Sequence, residues 1–454
     1  MQIKDSMECA KSELDLFSVP PTNTAIEEGH WDNIQPHPNF DQSPVIRFDI
    51  TGTNSHYVDL AATELHVKFV IYNSRTEKLA PVKDIGLVNN FLHSMFEQCQ
   101  VYLNNVAVEN TNKCYAYRAY LENLLCYNND AKENLLRGDF FFPEDEKNED
   151  YKASSSTNIK TKDLITKAQV HSDPNDTASA KVNDLADSWE AYGKIHCDIF
   201  NINKYMLNNI DIKLVFTRSS DSFCLLGAAG SKCVVSIADT FLRIRRVRVS
   251  NAVMLAHAMA LEQTTAKYPI KRVLVKPFVI ANNSSIFTIS GIHFGIMPTR
   301  VVAGFVKTSA YGGTIEQDPF YFHHIGVNYL NLKVASRALP YAQGIQMSYY
   351  KKNYTQGYMT LHKNIREASH GISYENYMQG NTLYAFDLTP DLCSADHFNL
   401  LKDGSLDLDV HLENDTTTKA LVTDKIGYTA MFYLEFDNII EITKERQVLV
   451  DYKL

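Results

Sequence analysis

The sequence has little tryptophan, no paired cysteines and no long apolar run. Trp31 and Trp189 are the two tryptophans in 454 residues. The eight cysteines (Cys9, Cys99, Cys114, Cys126, Cys197, Cys224, Cys233, Cys393) are scattered without a C-x-x-C pair. In a chain of this size without a signal they read as buried thiols made in a reducing compartment. The opening Met1-Gln-Ile-Lys-Asp-Ser-Met-Glu8 lacks the apolar segment of a secretory signal, so export is not expected. The sequons at Asn175, Asn282, Asn283, Asn353 and Asn414 are then chance matches. The longest apolar run, Ala252 to Leu261, is about half the roughly twenty residues needed to span a bilayer, so no membrane span is expected. Positive charge is also short. With 44 basic against 53 acidic residues the formal net charge is −9, the wrong sign for a chain that coats nucleic acid.

Aromatic residues are plentiful, with 25 Tyr and 23 Phe among many Val, Ile and Thr, which favours pleated, half-buried surfaces. Apolar residues at 45% and charged residues at 21% exclude disorder as the dominant state, and the length suggests about two to four domains. Residues 1–43 are polar and proline-punctuated, with short apolar islands, and read as an arm that orders by docking on something else. Strand signals begin at Val45–Ile50. In Tyr57–Tyr72, Leu65, Val67, Phe69 and Ile71 share one face. Gln100–Val108 reads as a hairpin turning at Asn104-Asn105. One helix is expected from Cys114 to about Leu136 by its three- and four-residue apolar spacing.

The stretch from Pro143 to about Ser188 is the most polar of the chain and reads as a long exposed excursion between strands. Strand patterns resume at Ile195–Phe200 and Ile210–Phe216. In Phe241–Val249, Leu242 and Ile244 share a face while Val247 and Val249 lie opposite. A bulge at Arg245-Arg246 would return all four to the core. A helix from Ala252 to about Glu262, packed between two halves, marks the boundary. Beyond it a second β-rich series runs from Tyr268, with clean alternation in Leu406–Leu412 and a further strand in Met431–Phe436. The order is not βαβ, so antiparallel sandwiches or jelly rolls are expected.

Chemistry is thinly signalled. No GxSxG, HExxH, GxGxxG or GxxxxGK[ST] occurs, and Gly227-Ala-Ala-Gly-Ser-Lys232 reads as a turn. His323-His324 point to opposite faces of any strand, and His362 and His370 lack a third ligand nearby, so neither a metal nor a cofactor is expected. Asp407 and Asp409 lie on one face opposite Leu406, Leu408 and Val410, the solvated side of a half-buried strand. An enzyme would need a deep pocket with convergent polar groups and a buried carboxylate of raised pKa. The one basic concentration is Arg243, Arg245, Arg246 and Arg248. It reads either as a contact with phosphate or a neighbouring subunit, or as solvated charge guarding a strand from edge-to-edge pairing.

Several stretches in order along the chain resemble a known family. They are Leu14-Asp-Leu-Phe-Ser-Val-Pro-Pro-Thr22, Val88-Asn-Asn-Phe-Leu-His-Ser-Met-Phe96, Tyr117-Arg-Ala-Tyr-Leu-Glu-Asn-Leu-Leu125, Leu255-Ala-His-Ala-Met-Ala-Leu261 and Ala266-Lys-Tyr-Pro-Ile-Lys-Arg272. Asp318-Pro-Phe-Tyr-Phe-His-His324, Tyr384-Ala-Phe-Asp-Leu-Thr-Pro-Asp-Leu392 and Glu435-Phe-Asp-Asn-Ile-Ile-Glu-Ile442 follow. Together they are similar to the double jelly-roll major capsid protein of Polinton/Maverick elements and adintoviruses. The resemblance implies an all-β chain of two eight-stranded antiparallel jelly rolls with short helical insertions. The rolls would span 44–250 and 268–454, joined by a helical connector at 251–267; loop 143–188, by its charge and length, is expected on the capsid exterior. It further implies a homotrimer that tiles an icosahedral virion, with penton and minor capsid proteins as partners, packaged double-stranded DNA contacted at most indirectly, and no enzymatic activity. A cytosolic β-sandwich binding module without assembly activity is the competing expectation.

Overall fold

The computed structural model describes residues 11–41, 43–73, 78–79, 85–143, 188–280, 285–365, 370–392, 397–400, 402–413 and 427–450. The first half supplies strands β1 (Ile26–Ile34), β2 (Val45–Ile50), β3 (His56–Asn73), β4 (Lys78–Leu79), β5 (Ile85–Leu87), β6 (Phe96–Leu103), β7 (Val106–Asn110), β8 (Trp189–Lys194), β9 (Ile212–Arg218), β10 (Leu225–Gly227) and β11 (Cys233–Val249). The second half supplies β12 (Ala266–Ile280), β13 (Ile286–Ile296), β14 (Arg300–Lys307), β15 (Val327–Val334), β16 (Arg337–Ala338), β17 (Ile345–Gln346), β18 (Leu383–Asp387), β19 (Asp403–Leu412), β20 (Tyr428–Ile442) and β21 (Val448–Val450).

Pairing is antiparallel throughout these strands and gives the same order twice. In the first half β1-β11-β3, with β8 and β4 on β3, form one sheet and β2-β9-β6-β7 the other. In the second half β12-β20-β14-β18 form one sheet, and β13-β19-β15, with the short β16 and β17 on β15, form the other. Among the eight main strands of each half, the first, eighth, third and sixth share a sheet, as do the second, seventh, fourth and fifth. That winding is a jelly roll, so the fold is a double jelly roll. Strands form where alternation is clean. In β19, Leu406, Leu408 and Val410 are buried and the residues between them are half-covered. The β6–β7 hairpin turns at Asn104 (φ 44°) and Asn105 (φ 65°), the left-handed pair that a two-residue turn requires and asparagine tolerates.

Four sequence readings are altered. The strand that completes the first sheet, β1, lies inside the segment read as an arm. Its polar sequence Ile26-Glu-Glu-Gly-His-Trp-Asp-Asn-Ile34 suits an edge strand open to water. The 114–136 helix stops at Leu125 and resumes as short pieces, Asn129–Glu133 and Leu135–Arg137. The strand placed at 195–200 is β8, ending at Lys194, because Asp198–Asn201 turns as a 3-10 helix. Finally, β11 carries no bulge at Arg245-Arg246. β1 pairs with it residue for residue from Glu28–Arg248 to Ile34–Leu242, and the extra residues sit on β3 between Asp59 and Glu64. Val247 and Val249 are buried all the same. Near its end β11 is covered on the second face too, where Val249 meets Val253, Leu261 and Tyr268 around a groove.

The halves interlock. Every residue of the Tyr115–Leu125 helix is buried, and its Tyr117, Tyr120, Leu121 and Leu124 belong to the second roll's core, with Tyr120 stacked on Phe320 at 4.2 Å. In return Ile440, Ile442 and Val448 belong to the core of the first. The Asn251–Leu261 helix, expected between the halves, has no buried residue. Val253, Met254 and Leu261 touch the core, while Leu255 and Met259 are about 60% exposed. The 143–188 excursion lies, but for Pro143 and Ser188, outside the described residues.

Candidate functional site

The four arginines of β11 are engaged by their own chain. Arg245 Nη1 lies 3.1 Å from Asp59 Oδ2 and Arg246 Nε 2.7 Å from Asp32 Oδ2. Arg248 Nε is 3.4 Å from Glu27 Oε2. Arg243 donates to Asn33 Oδ1 at 3.3 Å, and its guanidinium lies 5.4 Å from the centre of the Tyr192 ring. Arg246 and Arg248 reach acidic residues of β1, Asp32 diagonally across the ladder and Glu27 beside the strand's first pairs, while Arg245 reaches Asp59, its direct partner on β3. This adds charge complementarity to the main-chain ladder. Arg246 is the buried member, whereas Arg248 keeps half its side chain in solvent.

A second charged group, not legible in the sequence, is enclosed between the rolls. Arg118, on the buried helix, donates to Glu109 at 2.5 Å, Glu122 at 2.9 Å and Asp198 at 2.7 Å. From the second roll, Arg272 lies 3.9 Å from Asp198, whose Oδ1 also accepts the Val273 amide at 3.1 Å. Burial, with Asp198 beside it, raises the Glu109 carboxyl to about 8. For Glu122, burial is outweighed by Arg118 and by the His196 hydrogen bond, and the group stands at about 2. Glu109 has the raised carboxyl expected of an enzyme. However, its oxygens are taken by Arg118 and by the Asp198 amide at 2.7 Å. It does not line the neighbouring cleft of about 990 Å³, which Glu122, His196 and Asp198 do.

The surface offers two apolar features close together. Leu14, Leu16, Phe17 and Val19 stand between 72% and 97% exposed ahead of β1. Where β1 begins, Ala25 and Ile26 form part of a groove of about 480 Å³ together with Tyr57, Val253, Leu261 and Tyr268. The histidines that the sequence singled out are packed. His324 stacks on Tyr349 and accepts the Gly326 amide at 3.0 Å. His362 and His370 have ring centres 4.2 Å apart, and burial pushes His370 down to about 3. Asp409 pairs with Lys333 and Asp407 accepts the Gly291 amide at 2.8 Å, as for residues bracing a sheet surface. Among the described residues no helix is long and apolar enough to cross a membrane.

No family model matches the chain. An uncharacterized protein of Caenorhabditis elegans is 20% identical over 449 residues, covering 95% of this chain and 99% of its own length. Solved structures share the fold at low identity. The cryo-EM structure of the Sputnik virophage aligns with a TM-score of 0.63 at 11% identity, over 98% of this chain and 93% of that one. The PBCV-1 virus capsid aligns at 0.57 with 10% identity over 96% and 99%. The mavirus major capsid protein aligns at 0.53 with 12% identity over 100% and 97%.

Proposed function

We propose that this chain is a major capsid protein of the Polinton/Maverick and adintovirus kind, a structural component of a virion and not an enzyme. Three copies form a capsomer of pseudo-hexagonal outline, and capsomers tile an icosahedral shell around a DNA genome. The observation that supports the reading most is the repetition of one eight-strand winding in two rolls of a single chain. Three such chains place six like bodies around an axis, which suits a lattice of hexagonal neighbours. The interlocked cores hold the two rolls as one unit. Contacts between capsomers, weak singly, gain strength by repetition over the shell.

In this reading residues 11–23 order against a neighbouring capsomer or a minor capsid protein, burying the four exposed apolar side chains. Of the arginine run, Arg248 is the member available to a neighbouring subunit. Light scattering on a size-exclusion column, with negative-stain microscopy of the same peak, tests the proposal. The expected result is a particle of about 155 kDa, three times the 51.5 kDa chain, with hexagonal outline, or closed shells. A monomer that persists at high concentration would refute it and favour the binding-module reading.

A further inference from the structure

Beside the charged group between the rolls stand three residues that the sequence did not bring together: His93, Asp139 and His196. All three are buried, and one ligand atom from each lies within 4.8 Å of the other two. His93 sits in the Phe91–Ser94 helix, Asp139 follows the Leu135–Arg137 turn, and His196 follows β8. The backbone binds these segments to one another. The Leu92 amide donates to Asp139 O at 3.1 Å, the Asn90 amide to Phe140 O at 3.0 Å and the Tyr192 amide to Gly138 O at 2.8 Å. Gly193 leaves the space that the carboxylate occupies, since a Cβ there would lie 1.5 Å from Asp139 Oδ1.

In both rings the hydrogen-bonded nitrogen is Nδ1. His196 Nδ1 lies 2.7 Å from Glu122 Oε2, and a carboxylate there can only accept, so the ring proton stays on Nδ1. His93 Nδ1 lies 3.1 Å from Tyr115 Oη, a hydroxyl that can donate to the ring or accept from it and that also accepts the His196 amide at 3.4 Å; an ion at Nε2 requires the tautomer in which Tyr115 accepts. Nε2 of each ring is buried and has no hydrogen-bond partner among the described residues. His93 Nε2 is 3.7 Å from Asp139 Oδ2, beyond hydrogen-bond reach. Two buried ring nitrogens without partners, beside a carboxylate, are what a protein interior avoids and a metal centre needs. A tetrahedral ion with bonds of about 2.0–2.2 Å sets its ligand atoms roughly 3.3–3.6 Å apart. The His93–Asp139 separation nearly has that value already.

We propose that His93, Asp139 and His196 bind a divalent first-row transition ion, zinc by the character of the N,N,O ligands, with solvent from the adjoining cleft as fourth ligand. His196 lines that cleft. The ion ties together Asp139 and His196, which in sequence stand on either side of residues 144–187. The inference stands apart from the capsid reading and holds for a monomer as well as for a shell.

The test uses the full-length chain, stripped with a chelator and titrated with Co²⁺. The expected result is one Co²⁺ per chain with the intense visible bands of a tetrahedral site, bleached by Zn²⁺. The bands are lost in His93→Gln and Asp139→Asn but kept in His362→Gln, which alters the His362–His370 pair, and in His30→Ala, whose ring centre lies 5.1 Å from that of His56. Bands that persist in the first two variants, or a wild type that takes up no Co²⁺, would overturn the assignment. Should those variants fail to fold, X-ray absorption of the wild-type zinc form reads the ligands directly. Two imidazoles with oxygen support the site, and a sulfur shell or a single imidazole refutes it.

Discussion

Arg118→Met removes the cation on which Glu109, Glu122 and Asp198 converge, all at 2.5–2.9 Å and all buried. Methionine fills most of the arginine stem's volume, so the change leaves little cavity but takes from Glu122 and Asp198 their nearest cation, with only His196 and the more distant Arg272 remaining beside them. Removing one partner of a buried ionic group costs about 3–5 kcal/mol, and that is the loss expected near neutral pH. The pH dependence carries a second signature. In the wild type Glu122 stands at about 2, below its ordinary 4.5, so its stabilising share is present above 4.5 and lost as pH falls through about 2. Without Arg118, burial dominates and the carboxyl rises above 4.5. The folded variant then holds more protons than the unfolded chain and gains stability as pH falls. Glu109, at about 8 in the wild type, already behaves in that way. The deficit should therefore be largest at about pH 7.5 and shrink toward about pH 4. Urea unfolding at fixed protein concentration, followed by tryptophan fluorescence, reads it directly, because Trp31 on β1 and Trp189 on β8 both lie in the first roll. A deficit under about 1 kcal/mol, or one that does not shrink in acid, would refute the account.

Three further outcomes are expected. On the capsid proposal, deleting residues 2–22 should leave trimers intact and impair shells, whereas deleting 2–34 removes β1, strands the buried Arg246 without Asp32, and should yield insoluble chain by sedimentation. Leu255→Glu with Met259→Glu changes side chains already largely in solvent, so the unfolding free energy should stay within about 0.5 kcal/mol of the wild type for each substitution. If that helix face meets another subunit, the assembly seen by light scattering falls. His324 is pushed by burial to about 4, so its share of stability is present above 6.5 and is lost as pH falls through about 4, some 3 kcal/mol in all. His324→Asn keeps an acceptor for the Gly326 amide and should flatten the acid limb of a stability–pH curve measured by urea unfolding.

Features set by neighbours in sequence were legible. Alternation in Leu406–Leu412 and the Asn104-Asn105 turn depend on local sterics, and both appear where the residues place them. β1 was missed because an edge strand open to water needs no apolar face and so has no period to detect. The Asn251–Leu261 helix was found, but it was placed between the halves because its polar side is not basic enough for a lipid surface, and its own sequence does not say which neighbours cover it. The Tyr115–Leu125 helix does the packing between halves instead. The charged group escaped notice because Arg118 meets Asp198 across 80 residues, and no local spacing encodes such a meeting. His93, Asp139 and His196 are hidden for the same reason, since three chain segments must fold together before they are neighbours.

The exchange of core residues between the rolls bears on how the chain is made. Ile440, Ile442 and Val448 help to close the first core, yet they leave the ribosome about 190 residues after β11. At about 5–20 residues per second the first roll waits roughly 10–40 s for its last pieces. For that interval β3 and β11 are present while apolar surface that will meet the second roll is still uncovered. The nascent chain therefore passes through a half-closed form whose own partner strands are still being synthesised, and this is when chaperones have most to protect.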